Sequence, residues 1–267
     1  MGKSHTTAHI AHQDFVSGLG AWRMWLGLSI QDIRIRYKRT VLGPFWITAS
    51  QTATFVCMGM LFSAVLKNDI HDYLPYLAMG MSIWGFLSGV AQEGPSIFVQ
   101  YHRLVTQLKV PHLVHVLRVT MRHYLILLHN LVAVVLVLLG LGGKLTPDFL
   151  LLAAGLPLLF VIAASVGLIF AIVGARFRDL GPIIGMGMQF FFFMTPIMWR
   201  LEDLPDGRKW WVFINPAYHI VELVRAPFTG HAPDMLSVWV SLGTAALLAG
   251  TGYCLFRRLR HRVAYWL

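Results

Sequence analysis

The chain has 267 residues, 57% of them apolar and 13% charged, with a mean hydropathy of +0.63 and a formal net charge of +10. Soluble domains carry about a quarter charged residues, so a water-soluble globule is excluded. A disulfide scaffold is excluded too, because Cys57 and Cys254 are alone and both sit in apolar runs. The basic excess is spread between the apolar stretches, which points to loops that set membrane topology and meet anionic lipid, and not to nucleic acid.

Met1 to Asp14 is polar, and no signal-peptide core follows it. Met1-Gly2-Lys3-Ser4-His5-Thr6 fits the myristoylation pattern, which reads as coincidence in a chain with several spans of its own. His5, His9 and His12 read as residues of a mobile N-terminus and not as a metal site. From Asp14 to Thr40, Phe15, Leu19, Trp22, Leu26, Ile30, Ile33 and Tyr37 recur at steps of three and four, one apolar helical stripe. Residues 1–43 thus read as an N-terminal region whose amphipathic helix lies in the membrane interface, as an anchor or as a lever beside a cytoplasmic partner. The cluster Arg34, Arg36, Lys38 and Arg39 supports the lever.

Residues 44–267 form the second region. It holds six apolar stretches, 44–66, 73–91, 119–141, 149–173, 180–199 and 235–256, each near the ~20 residues a helix needs to cross the hydrocarbon core. Six crossings place both termini on one side. With the termini inside, sixteen of the 22 Lys and Arg fall inside and six outside, so the positive-inside rule predicts a cytoplasmic N- and C-terminus.

Two connections are richer than simple loops. Residues 92–118 contain Gly94-Pro95 and Pro111 as punctuation and alternate Leu104, Val105, Leu108, Leu113 and Val116 with His102, Arg103, Lys109 and Arg118. So many apolar residues suit either a short helix docking into another protein or an extension of the neighbouring spans. Residues 200–233 hold the turn Pro205-Asp206-Gly207, then Trp210, Trp211 and Phe213, then Asn215-Pro216 and a second short amphipathic piece ending at Pro227. The two pieces read as short re-entrant helices or as an interfacial hairpin, and Glu222 and Arg225 are spaced to pair on a helix face.

No chemistry-bearing constellation is present. The sequence has no G-x-x-x-x-G-K-[ST], no H-E-x-x-H and no G-x-S-x-G, and its cysteines lack ligand spacing. His112 and His115 lack a third ligand, and His123 and His129 read as hydrogen-bonded inside the bundle. No carboxylate falls well inside a span, which weighs against proton-coupled transport. Aromatic residues recur in the first, second and fifth spans. The fifth, bracketed by Pro182 and Pro196, reads as a deformable helix suited to a gate.

The run from Ile30 to Trp46, with Arg36-Tyr37-Lys38, Leu42-Gly43 and Trp46, resembles the approach to the first span in permeases of ABC-2 type polysaccharide exporters. The R-F-R-D loop at Arg176 to Asp179, the stretch from Asn215 to Arg225 and the tail Arg262-Val-Ala-Tyr-Trp-Leu267 extend the likeness over nearly the whole chain, the tail toward O-antigen exporters. The resemblance implies an all-α polytopic fold and a homodimer in a bacterial inner membrane. A separate cytoplasmic ABC ATPase binds each subunit and holds ATP and Mg, so this chain carries no cofactor and catalyses nothing itself. The implied cargo is a glycan on undecaprenyl diphosphate. By position, the resemblance makes Leu104, Val105, Leu108, Lys109, His112, Leu113 and Val116 the ATPase-coupling loop. Asp32, Arg34, Arg36, Tyr37 and Arg39 become the end of the interface helix. Trp46, Phe55, Phe190, Phe191 and Phe193 become channel lining, and Trp210, Trp211, Glu222 and Arg225 the outer gate. Capsule or teichoic acid export remains an alternative cargo, as does a permease for a drug or another lipid. A membrane-embedded glycolipid transferase, with Asp179 beside Arg176 and Arg178, is the alternative from another class.

Overall fold

Without water to satisfy the peptide groups, an apolar run must satisfy them internally, and a helix does so within one segment. A computed structural model describes residues 2–38, 40, 43, 45–101 and 110–267, with side chains from residue 9 onward except that of Tyr37, and it has helices and no strand among them. The N-terminal region forms α1 (Gly2–Gly20) and α2 (Trp22–Tyr37). The bundle consists of α3 (Phe45–Leu66), α4 (Ile70–Glu93), the short α5 (Ile97–Gln100), α6 (His112–Gly140), α7 (Leu152–Arg176) and α8 (Leu180–Met194). Two short helices, α9 (Trp210–Ile214) and α10 (Pro216–Thr229), precede the long α11 (Met235–Trp266).

Five of these stretches are long and apolar enough to cross a bilayer, and the expected fifth span is not one of them. Its helix stops at Met194 and not at Trp199, giving 15 residues, or about 22 Å at 1.5 Å per residue. The chain still passes from one end of the bundle to the other, because residues 196–199 lie against Tyr73 and Tyr76 in the first two turns of α4. An irregular segment therefore completes the crossing. Pro182 stands in the first turn of α8, where its missing N–H leaves no bond unmade, and Pro196 follows the helix end.

The expected single interface helix is two. The chain breaks at Ala21, which has φ −77° and ψ 36°. Leu19, Trp22 and Ile30 of the expected stripe are exposed, while Gly18, Trp25 and Ser29 turn toward the bundle. Small residues permit the approach: a Cβ on Gly18 would stand 2.8 Å from Leu113 Cβ, and Ser29 Oγ donates to the Arg118 carbonyl at 2.9 Å. Leu19, Trp22 and Ile30 face outward, as suits a helix lying along lipid, while Phe15 of the same stripe packs on the bundle.

Within the bundle α4 packs between α3, α6, α7 and α8, and α7 packs against α11. One apolar cluster, including Phe55, Met79, Leu127 and Val224, fills the middle and one end. A second, including Phe98, Leu113, Val116, Ile172 and Phe256, fills the other end and takes in Phe15 and Trp25 from the N-terminal helices. Gly174 lets α7 meet the Gly94–Ser96 turn backbone to backbone, since a Cβ there would lie 2.3 Å from the Pro95 carbonyl oxygen.

Candidate functional site

The N-terminal helices and the last turns of α11 meet at one end of the bundle, where ion pairs gather around Tyr101 and His112. Near Tyr101, Asp32 of α2 accepts from Arg118 Nε at 2.7 Å and Nη2 at 2.5 Å, and Arg122 lies 3.4 Å away. Arg122 also pairs with Glu93 at the end of α4, which takes His123 Nε2 at 3.0 Å. The Arg118 guanidinium lies over the Tyr101 ring, 4.4 Å from its centroid, and Tyr101 stacks on His115. Near His112, Asp14 of α1 accepts from Arg260 Nε of α11 at 2.9 Å and lies 3.4 Å from His112 Nδ1. Burial pushes the Asp14 carboxyl up, but the hydrogen bonds from His112 and Arg260 outweigh it and hold its pKa below the ordinary 3.8. Elements far apart in sequence thus converge on Tyr101 and on His112, the first residue of α6.

Of the residues expected to form the coupling loop, Leu104, Val105, Leu108 and Lys109 lie outside the described residues, as does Arg39 of the interface helix. His112, Leu113 and Val116 do not form a docking surface. They open α6 and are buried against this chain's own core, Leu113 and Val116 in the cluster around Phe98. Arg34 and Arg36 are exposed, and Asp32 is the one described charge of that group committed to the bundle.

At the opposite end, the irregular segment after α8 finds its hydrogen bonds in side chains. Tyr73 donates to the Met198 carbonyl, the Tyr76 hydroxyl lies 3.1 Å from the Pro196 carbonyl and 3.0 Å from that of Trp199, and Arg225 Nη1 donates to Pro196 at 2.6 Å. Arg225 also donates through Nε and Nη2 to Glu222 at 3.0 and 2.5 Å and lies 3.9 Å from the Tyr76 ring centroid. Asn215 Nδ2 donates to Thr195 Oγ1 at 3.0 Å, while its Oδ1 caps α10 by accepting from the Ala217 N–H, with Pro216 at the first helical position. His219 Nε2 faces the Phe213 carbonyl at 2.9 Å and so carries a proton, and Nδ1 lies 2.9 Å from Ser237 Oγ. Glu222 and Arg225 pair as their spacing predicts, but Arg225 is 2% exposed and works as a clamp on the 196–199 backbone. Sequence alone could not show Tyr73 and Tyr76 as holding the same backbone, 120 or more residues from the carbonyls that they serve.

Between the two ends the aromatic residues divide. Trp46, Phe190, Phe191, Phe193 and Trp210 are exposed, and Trp211 packs on Trp199 at 5.7 Å. Phe55 is 3% exposed, buried against α4 and its neighbours, so it cannot line a channel between subunits. Among the described residues no group of three His, Cys, Asp or Glu could hold a metal ion.

Residues 25–229 match the family described as ABC-2 type transporter. The chain is 24% identical over 238 residues to an O-antigen export system permease protein, RfbA, of Klebsiella pneumoniae, covering 88% of this chain and 91% of that protein. It is 21% identical over 242 residues to the RfbA of Myxococcus xanthus, covering 90% and 93%. It is 22% identical over 225 residues to the polysialic acid transport protein KpsM of Escherichia coli, covering 82% and 85%.

Proposed function

The chain belongs to the ABC-2 type transporter family, and from that premise we propose that it is the permease subunit of an ATP-driven exporter of surface polysaccharide, with O-antigen the favoured cargo. Relatives named for O-antigen export and for polysialic acid transport support the cargo class, and the basic tail supports O-antigen over capsule or teichoic acid. The working unit is a homodimer in a bacterial inner membrane with both termini cytoplasmic. A separate ABC ATPase on each subunit holds ATP and Mg, and the glycan travels on undecaprenyl diphosphate through a channel between subunits.

One observation carries this reading: the ion-paired helices at the end of the bundle that holds α1 and α2. A permease with no nucleotide site of its own must receive mechanical work from outside. Asp32–Arg118 ties α2 to α6, and Asp14 ties α1 to His112 of α6 and Arg260 of α11, so four helices are linked at the end where such work would enter. Purification of the tagged chain from its native membrane in mild detergent tests the proposal. A P-loop ATPase should accompany it in equal amount, and export of labelled glycan should stop when ATP is withheld. A homogeneous dimer with no ATPase, turning over a glycolipid unaided, would overturn the proposal in favour of an embedded transferase.

A further inference from the structure

The last helix turns one face to the bundle and leaves another bare. On α11, Ser241, Ala245, Gly252, Phe256 and Val263 are buried, and the helix packs on α7, α10 and α1. Cys254 and Arg258 stand two positions either side of Phe256, about 200° round the helix axis from it, and both are exposed. They belong to a groove of about 480 Å³ that runs along this outer face from Ala246 to Arg258. The lining is apolar except for Thr251 and, at one end, Arg258. A Cβ added at Gly250 would meet nothing within 4 Å, so the bare backbone there serves no contact among the described residues.

Length, charge and depth select the occupant. From Ala246 to Arg258 the helix rises about 18 Å at 1.5 Å per residue, close to the ~15 Å of one leaflet in a ~30 Å hydrocarbon core. A partner helix would need the groove to continue through the second leaflet. Instead Leu242, next on the same line of the helix, stands exposed and outside the lining. Arg258 has no carboxylate partner among the described residues, whereas Arg260 is held by Asp14, and no acidic residue lines the groove. Arg258 also stands where the apolar run of α11 gives way to Arg257-Arg258-Leu259-Arg260, the level at which headgroups lie. An apolar channel one leaflet long, ending in a free cation at headgroup level, fits an acyl chain joined to a phosphate. We propose that the groove seats one anionic phospholipid of the surrounding bilayer, its chain along Gly250 and Cys254 and its phosphate on Arg258. The site needs only that α11 crosses the membrane, whatever the exporter carries.

The test titrates the purified full-length protein with palmitoyl-oleoyl phosphatidylglycerol and, separately, with the zwitterionic phosphatidylcholine of the same chains, counting bound lipid by native mass spectrometry. One phosphatidylglycerol per chain should be retained where phosphatidylcholine is lost. Arg258→Gln should weaken that binding about five- to tenfold, the effect of one lost charged contact. Gly250→Leu, which fills the groove without changing the charge, should weaken it as much. Arg257→Gln removes an exposed cation outside the lining and should leave it unchanged. Bound lipid should also slow alkylation of Cys254, in the groove, and not of the exposed Cys57 on α3. Equal retention of the two lipids overturns the site, and so does an equal loss in Arg257→Gln, which would reduce it to diffuse attraction. Preference for undecaprenyl phosphate over phosphatidylglycerol would give the groove to a polyprenyl carrier, and a lower dimer content in Gly250→Leu would give it to a second copy of the chain; either result rejects the proposal.

Discussion

At Arg225 a guanidinium with almost no solvent contact depends on Glu222, the Pro196 carbonyl and the Tyr76 ring. Removing the cation would leave the Glu222 carboxylate unpaired, and breaking a buried pair from one side costs about 3–5 kcal/mol. Arg225→Met should therefore lower the unfolding temperature in detergent sharply. Arg225→Met with Glu222→Gln should recover part of that loss, because no charge is then left unpaired. A double variant no more stable than the single one would mean that the clamp on Pro196, and not the ion pair, carries the energy. The pair was legible in the sequence because helical geometry fixes i,i+3 neighbours. Its deeper role was not, since the backbone it holds is 29 residues away.

At the scale of elements, α1 and α2 each add one largely buried carboxylate, Asp14 and Asp32, to their packing on the bundle. Asp14 has its pKa depressed by His112 and Arg260. A depressed carboxylate contributes stability that is fully present above its unfolded value near 3.8 and is lost as pH falls through the folded value. The stability gap between the native chain and Asp14→Asn should therefore be widest at neutral pH and shrink below about pH 4, as thermal unfolding across that range can show. A gap that does not change with pH would assign the difference to packing. Asp32 joins α2 to α6 through Arg118 and Arg122, so Asp32→Ala should leave ATPase binding intact while export falls relative to ATP consumed. Reversing the charges of the exposed Arg34 and Arg36 should uncouple ATP hydrolysis from export, and unchanged export would discard the lever role for this helix. The spans could be read from hydropathy because that property is local along the chain. The Asp32–Arg118 tie could not, since its partners are 86 positions apart. Leu113 and Val116 show the same limit from the other side. Hydropathy marked them as covered, but it cannot say whether the cover is a partner or the chain's own Phe98 and Ile172.

For the whole molecule, the open question is what covers α3 and α8, which flank α4 and leave Trp46, Met60, Met186, Phe190 and Phe193 exposed. Apolar exposure alone does not choose between lipid and protein, because lipid tails are as apolar as leucine. The polar residues do choose. On α3, Ser50 and Thr54 satisfy their hydroxyls on their own helix, at the Ile47 and Ser50 carbonyls. Gln189 of α8 is exposed in a helix that buries none of its residues, and a carboxamide facing hydrocarbon is expensive whereas one facing a second subunit or a wet passage is not. The proposed homodimer, meeting along this face, would account for it. With Cys57 and Cys254 changed to Ser, Gln189→Cys should cross-link into a species of twice the 30.1 kDa chain mass under a short bifunctional thiol reagent. Leu247→Cys, also at an exposed position, on α11, should stay monomeric under the same treatment. Cross-linking at Leu247 and not at Gln189 would move the subunit interface to α11 and leave the α3 and α8 aromatics facing lipid.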